Sequence, residues 1–88
     1  KKGRQTFFRS IPAYGMPVAF YEAPHRILKS LEALVALETE KPLQVTIARE
    51  LTKMHEEVVQ GTPAEVLAYF NEHTDHVRGE FVVFVYTT

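Results

Sequence analysis

The sequence has 88 residues, a hydrophobic content of 45%, a charged content of 24% and a formal net charge of −1. This length allows one small domain, and the composition excludes a disordered tail, a collagen-like repeat and a linker. Without cysteine, the chain has neither a disulfide framework nor a thiolate metal site, so we expect a cytoplasmic protein and no metal. Its longest uncharged apolar run, 81–86, is too short for a membrane helix.

The charges are unevenly distributed along the chain. Residues 1–10 carry a net charge of +4, so the remaining residues carry −5. A basic arm on an acidic body favours an anionic partner at that end. The alternative is a solvated terminus that belongs to a longer chain.

The first half of the sequence predicts two helices and one strand. Residues 5–11 predict a short helix, and the β-branched and aromatic residues at 17–22 predict a strand. Apolar residues at helical spacing then predict a helix from Pro24 to about Glu38. Its buried stripe is expected to contain Ile27, Leu28, Leu31, Leu34 and Val35.

The second half predicts three strands and one helix. Residues 43–48 are mostly apolar, which predicts a strand covered on both faces, and 57–60 predict a short strand. A capping box at 62–65 begins a helix that buries Val66, Leu67 and Phe70 and ends near His73. Residues 80–86 predict the last strand, and their unbroken apolar run at 81–86 predicts a central position in the sheet. The whole chain therefore predicts a single α/β domain, a small mixed β-sheet with helices packed on it.

Two polar clusters follow predicted strands, at 21–26 (YEAPHR) and at 49–57 (RELTKMHEE). Ligands of open α/β sheets gather at the carboxyl ends of strands, so these clusters predict a binding site. A cation in the first turn of a helix is disfavoured unless an anion shares the site. The alternatives are solvated side chains that pair with nearby carboxylates and a surface salt-bridge network. A third group, His73, Asp75 and His76, could hold a metal, but a solvated helix end is the favoured interpretation.

Four motifs occur in order along the chain: FYEAPHRIL (20–28), ARELTKMHEEV (48–58), QGTPAE (60–65) and RGEFV (78–82). Together they resemble the C-terminal half of the ribosomal RNA small-subunit methyltransferase I family, in the tetrapyrrole methylase superfamily. The resemblance implies an S-adenosylmethionine-dependent enzyme that methylates the 2′-oxygen of a cytidine ribose in small-subunit ribosomal RNA. It also implies that residues 1–88 are the substrate-facing C-terminal domain and that an N-terminal domain, absent here, carries the glycine-rich cofactor loop. We expect the isolated domain to be inactive.

The same resemblance implies a strand order and cofactor contacts. The family domain has a five-stranded mixed sheet whose first strand would precede Lys1, and the remaining strands should lie in the order 17–22, 79–86, 43–48, 57–60. The family's cofactor positions fall on Glu22, and on Leu51 and Thr52. Glutamate and leucine replace an apolar residue and a glycine there, so only backbone contacts can be carried over. Tyr86, near the end of the last strand, is a further cofactor candidate.

The expected chemistry is methyl transfer to a ribose hydroxyl, which needs a base for the proton. His25 and Glu50 are the candidate bases. We expect the basic side chains to bind RNA phosphates, because phosphates attract fixed positive charge; these are Lys1, Lys2, Arg4, Arg26, Arg49 and Lys53.

Three further points stay open at the level of the sequence. Family members commonly form homodimers, and an unpaired sheet edge favours such pairing, so both a monomer and a homodimer are compatible with the chain. An alternative function is methylation of a tetrapyrrole or another small molecule by a member of the same superfamily. A second alternative is a non-catalytic module that binds RNA or protein.

Overall fold

The computed structural model describes residues 17–37, 42–50 and 56–87. Its main elements, in chain order, are β1 (Val18–Glu22), α1 (Pro24–Ala36), β2 (Leu43–Arg49), β3 (Glu57–Gly61), α2 (Pro63–Glu72) and β4 (Phe81–Thr87). A short 3₁₀ turn, Thr74–His76, lies between α2 and β4. The predicted helix at 5–11 lies outside the described residues. The other predicted elements are present, which confirms the α/β fold class.

The four described strands form one sheet in the order β1-β4-β2-β3. This is the order that the resemblance implied, and it confirms the central position of β4. A mixed sheet was expected, but the three pairings among the described strands are all antiparallel. Because neighbours alternate in direction, the carboxyl ends of β1 and β2 lie at the same end of the sheet as the amino ends of β3 and β4. We call this end the polar end.

One row of paired residues crosses the sheet at the polar end. Phe81 of β4 pairs with Glu22 on one side and with Arg49 on the other, and Arg49 pairs with Glu57. Side chains at paired positions project to the same face of a sheet. The ring of Phe81 packs edge-on against Phe70 of α2, with centroids 5.8 Å apart. The row therefore faces the helices.

The core lies between the two helices and this face of the sheet. Each fully buried aliphatic or aromatic side chain contributes about 1.5–3 kcal/mol to folding. The core side chains come from α1, α2, β2 and β4, and are Ile27, Leu31, Leu34, Leu43, Val45, Ile47, Val66, Phe70, Phe81, Val83 and Val85.

The buried stripe of α1 differs from the predicted one at three positions, one of which is Leu28, only partly buried and packed against the core. Val35 is 44% exposed, although it was expected in the stripe, whereas the polar residue Ser30 is buried. The stripe consists of residues 27, 30, 31 and 34, which is the spacing of one helix face. Val35 lies one residue beyond it and turns toward solvent.

The other face of the sheet is less covered than predicted. Gln44 and Thr46 of β2 are half-buried and only Ala48 is buried on this face, although the strand was expected to be covered on both faces. Tyr21 is 83% exposed on this face, and Val58 is 55% exposed. No helix within the described ranges has the length and apolar character needed to cross a membrane.

The start of α2 confirms the predicted capping box. The Thr62 N–H donates to Glu65 Oε1 (2.9 Å), and the Glu65 N–H donates to Thr62 Oγ1 (3.2 Å). Pro63 occupies the first helical position, where a missing N–H costs no intrahelical bond. These contacts fix the end of β3 relative to the helix that follows.

Candidate functional site

A pocket of about 540 Å³ opens at the polar end of the sheet, a volume typical of small-molecule sites. The end of β1, the first turn of α1 and the start of β4 surround it, through Tyr21, Glu22, His25, Arg26, Glu80 and Phe81. A second pocket, of about 420 Å³, lies between the end of α1 and the start of α2, and its described lining contains no ionisable side chain. The pocket at the polar end is therefore the candidate site.

Glu22 forms a buried acidic wall of this pocket and is only 7% exposed. Its Oε2 accepts a hydrogen bond from the Ser30 hydroxyl, and its Oε1 accepts one from the Ala23 N–H at 3.3 Å. A buried carboxylate is costly unless it is hydrogen-bonded. Ser30 projects from the buried stripe of α1 and supplies that bond, so the polar residue in the stripe holds the carboxylate in place.

His25 and Arg26 lie in the first turn of α1, and both are exposed. The turn contains no acidic residue. Among the described residues Arg26 forms no ion pair, although pairing with Glu22 or Glu32 was an alternative interpretation of the sequence. The pocket mouth therefore presents a guanidinium that no described carboxylate pairs with, together with an imidazole.

Arg49 is buried, and its side chain is only 6% exposed. Its Nε–H donates to Glu57 Oε1 at 2.8 Å, and its Nη1 has no hydrogen-bond partner among the described residues. Arg49 was predicted to bind an RNA phosphate, whereas in the structure the register row directs its side chain toward the helix-covered face. Arg49 is instead an internal partner of Glu57.

Glu57, in β3, is the centre of a hydrogen-bonded network that joins this strand to β2, to α2 and to the 3₁₀ turn. Tyr69 of α2 donates its hydroxyl to Oε2, and His76 Nδ1 in the 3₁₀ turn lies 3.0 Å from Oε1. Partial burial alone would raise the pKa of Glu57, but hydrogen bonds from Tyr69, Arg49 and His76 lower this pKa from 4.5 to about 2. The hydrogen bond to Glu57, together with burial, raises the pKa of the Tyr69 hydroxyl.

The two histidines that sequence analysis considered as metal ligands contact Tyr69 instead. The His73 ring stacks on the Tyr69 ring with centroids 4.3 Å apart, and the Tyr69 hydroxyl lies 3.4 Å from His76 Nδ1. Within the described ranges no group of three or more histidine, aspartate and glutamate side chains is arranged to hold a metal ion.

Glu50 follows β2 directly and has a φ of 57°. It is the only non-glycine residue with positive φ in the described part of the chain. Its N–H donates to the Glu80 carbonyl oxygen at 3.0 Å, which extends the β2–β4 ladder by one bond. Its side chain lies against Gly79, where an added Cβ would overlap the Glu50 carboxylate and lie 2.9 Å from its Cγ.

The structure thus brings together some predicted site residues and separates others. Glu22, His25 and Arg26 share the pocket, while Arg49 and Glu50 lie at the same end of the sheet. Tyr86 lies five residues along β4 from Phe81, about 17 Å away, on the opposite face, with its hydroxyl 3.5 Å from Thr46 Oγ1. The remaining predicted residues lie outside the described ranges: Lys1, Lys2, Arg4, Leu51, Thr52 and Lys53.

Four residues that organise this end of the domain had no predicted role in the site. Ser30 stands at core spacing in α1, and Gly79 stands directly before the last strand, so each had a local signal. Glu57 was included in the second polar cluster without a role. Tyr69 had no signal, because an aromatic residue on a helix more often belongs to the core.

Fold and site together define an α/β domain with a mixed-charge pocket of small-molecule size at the ends of its strands. No family model matches the sequence. The chain is 38% identical over 85 residues to Ribosomal RNA small subunit methyltransferase I of Bacillus subtilis (strain 168), covering 97% of this chain and 28% of that protein. The proteins of the same name from Synechocystis sp. and Escherichia coli O157:H7 are 41% identical over 83 residues and 39% identical over 84 residues. These matches cover 93% and 96% of this chain.

This chain is therefore a relative of the ribosomal RNA small subunit methyltransferase I family, and the resemblance carried by its motifs is confirmed. It spans less than a third of the length of these curated relatives.

Proposed function

We propose that this chain is the C-terminal, substrate-facing domain of an S-adenosylmethionine-dependent methyltransferase that modifies a cytidine 2′-oxygen in small-subunit ribosomal RNA. The names of the relatives support an activity on ribosomal RNA. The short coverage of those relatives supports a second, N-terminal domain in the complete protein. Since ribosomal RNA is the proposed substrate, we place the protein in the cytoplasm.

One observation carries the proposal on the structural side. The first polar cluster lies at the polar end of the sheet beside a pocket of about 540 Å³, and the described residues Arg49 and Glu57 of the second cluster lie at the same end. Arg26, an exposed cation of the first cluster, is suited to a phosphate, and the buried carboxylate of Glu22 is suited to a cationic ligand.

The residues at the pocket fit S-adenosylmethionine, a cation of ordinary small-molecule size. Glu22 would hold it on this domain, since a desolvated carboxylate favours a positive charge nearby. When bound, S-adenosylmethionine supplies an electrophilic methyl group. Leu51 and Thr52 remain candidates for backbone contacts, whereas Tyr86 stands too far from Glu22 to share that ligand.

The chain's own residues would orient the RNA and accept a proton. Arg26 would bind a phosphate and so align the ribose, because orientation of the reacting groups lowers the barrier. His25, at the pocket mouth, and Glu50, at the same end of the sheet, are the candidate acceptors for the hydroxyl proton. The basic residues of the N-terminal arm and Lys53 would extend the contact along the RNA backbone.

The test uses the full-length protein with small ribosomal subunits and methyl-labelled S-adenosylmethionine. We expect label in 2′-O-methylcytidine after digestion of the ribosomal RNA to nucleosides, and a lower rate in the Arg26→Ala variant. Label on a base or on a small acceptor would assign a different methyltransferase activity. Binding of RNA without transfer of label would assign a non-catalytic module.

A further inference from the structure

We propose that Gly79 is a positioning residue for Glu50 and that it holds this carboxylate at the polar end of the sheet to accept the proton of the ribose hydroxyl. The inference rests on the proposed function, and it deepens that function by choosing between the two candidate bases. Two observations support it: the backbone conformation of Glu50 and the space that Gly79 leaves open.

The backbone conformation of Glu50 is unfavourable for a residue with a side chain. At a φ of 57° the residue occupies the left-handed region, where the Cβ of an L-amino acid crowds the neighbouring carbonyl oxygen. Such residues persist only where the surrounding structure fixes them. A turn that only reversed the chain would favour glycine, asparagine or aspartate at this position. The presence of glutamate therefore points to a requirement for its longer carboxylate.

Two contacts fix Glu50 in this conformation. The bond from its N–H to the Glu80 carbonyl oxygen, at 3.0 Å, anchors the backbone to β4. Its side chain lies across the backbone of Gly79, which has a φ of 84° and leaves the space that any Cβ would fill. Gly79 and Glu50 are thus complementary in shape, because the Glu50 side chain occupies the space that a side chain on residue 79 would need.

Glu50 lies beside the candidate site, because its N–H bonds to the carbonyl oxygen of Glu80. Gly79 directly precedes Glu80, which lines the pocket. On the other side, Arg49 is fixed by Glu57, so the chain enters Glu50 from a rigid position. A carboxylate held at this rim can take up the proton that a ribose hydroxyl releases on methylation.

The experiment compares stability with methylation across five variants. Unfolding temperature is measured on this chain, and the initial rate of methyl transfer to small ribosomal subunits is measured on the full-length protein. Glu50→Gly removes the backbone strain, so we expect an unfolding temperature about 4 °C higher. The same variant loses the proton acceptor, so we expect a rate at least about 100-fold lower.

The other variants separate positioning from stability. Glu50→Gln keeps the strain and the shape, and we expect the same loss of rate without the gain in stability. Gly79→Ala should lower both quantities, because its Cβ meets Glu50. Combining it with Glu50→Gly removes the overlap and should recover part of the stability but not the rate, because alanine at a φ of 84° remains strained. Gly61→Ala is the control at the other end of the sheet, where the added Cβ would lie 2.8 Å from Glu65 Oε1; it should lower stability and keep the wild-type rate.

Two results would overturn the inference, and each differs from a failure of the proposed function. A Glu50→Gly variant that is more stable and as active as the wild type would make Glu50 an ordinary turn residue. A Gly79→Ala variant with the wild-type rate would remove the positioning role. A wild-type protein that transfers no methyl group to small ribosomal subunits would instead refute the proposed function.

Discussion

Glu57 Oε1 lies 2.8 Å from Nε of Arg49, so that the first residue of β3 and the last residue of β2 form an ion pair inside the register row. Tyr69 and His76 bind the same carboxylate from α2 and from the 3₁₀ turn. One acidic side chain thus ties the helical layer to the polar end of the sheet. Five predictions concern this network and the pocket beside it.

Replacing Glu57 with glutamine should destabilise the chain by about 3 kcal/mol at pH 7, because it leaves the Arg49 guanidinium buried without a counter-charge. Urea unfolding measures this change. Glu72→Gln, on an exposed position of α2, is the matched control and should change stability by less than about 0.5 kcal/mol. Equal effects of the two substitutions would show that the Arg49–Glu57 pair contributes nothing.

The same carboxylate should make stability depend on pH in a defined window. The folded-state pKa of Glu57, about 2, is lower than its ordinary value of 4.5. Its contribution is therefore complete above pH 4.5 and is lost as the pH falls toward 2. The loss should be about 3 kcal/mol. Unfolding free energies of the wild type and of Glu57→Gln, measured across this range, should converge as the pH falls; parallel curves would contradict the assignment.

Tyr69→Phe should raise the pKa of Glu57 while it leaves the aromatic packing in place. The substitution removes one hydrogen-bond donor but keeps the ring, whose centroid lies 5.2 Å from that of Phe70. We expect a loss of about 1–2 kcal/mol. Titration of the Glu57 carboxyl carbon by NMR gives the pKa directly. An unchanged pKa would mean that the tyrosine hydroxyl bonds elsewhere in solution.

Ser30→Ala should destabilise the chain by about 2 kcal/mol, because the buried Glu22 carboxylate loses a hydrogen bond. The measurement is again chemical unfolding, with Glu32→Ala as the control on the exposed side of α1. If the two substitutions had the same small effect, the Ser30 hydroxyl would not stabilise Glu22, and Ser30 would only occupy space in the buried stripe of α1.

Arg26→Ala should weaken the binding of a small-subunit ribosomal RNA fragment to the full-length protein. The loss of one phosphate contact should reduce the slope of log affinity against log salt concentration by about one. Lys29→Ala provides the control, since Lys29 is exposed one turn along α1 and does not line the pocket. A slope that Arg26→Ala leaves unchanged would exclude a phosphate contact at this residue.

Much of the fold was predictable because its signals are local or periodic. The Thr62–Glu65 capping box fixes a helix start within four residues, and the unbroken apolar run of β4 indicates a strand with neighbours on both sides. Half of the candidate site was predictable for the same reason. Glu22, His25 and Arg26 are close together in the chain, so any turn there keeps them together in space.

The Glu57 network and the position of Tyr86 depend on tertiary packing, which local sequence patterns do not encode. Tyr69 and His76 reach Glu57 across 12 and 19 residues of chain, and only the docking of α2 on the sheet brings them together. The placement of Tyr86 depends on strand direction. Since β4 begins at the polar end, its last residues lie at the far end, whereas a position at the end of a strand suggested the opposite.

The insertion of β4 between β1 and β2 has a consequence for the newborn polypeptide. Val18 finds its partner only when Val85, 67 residues later in the chain, has left the exit tunnel (85 − 18 = 67). Pairings this distant along the chain slow folding, and until they form the unpaired edges are open to aggregation. The polar end is assembled at the same moment, because Phe81 is the residue that brings Glu22 and Arg49 into one row.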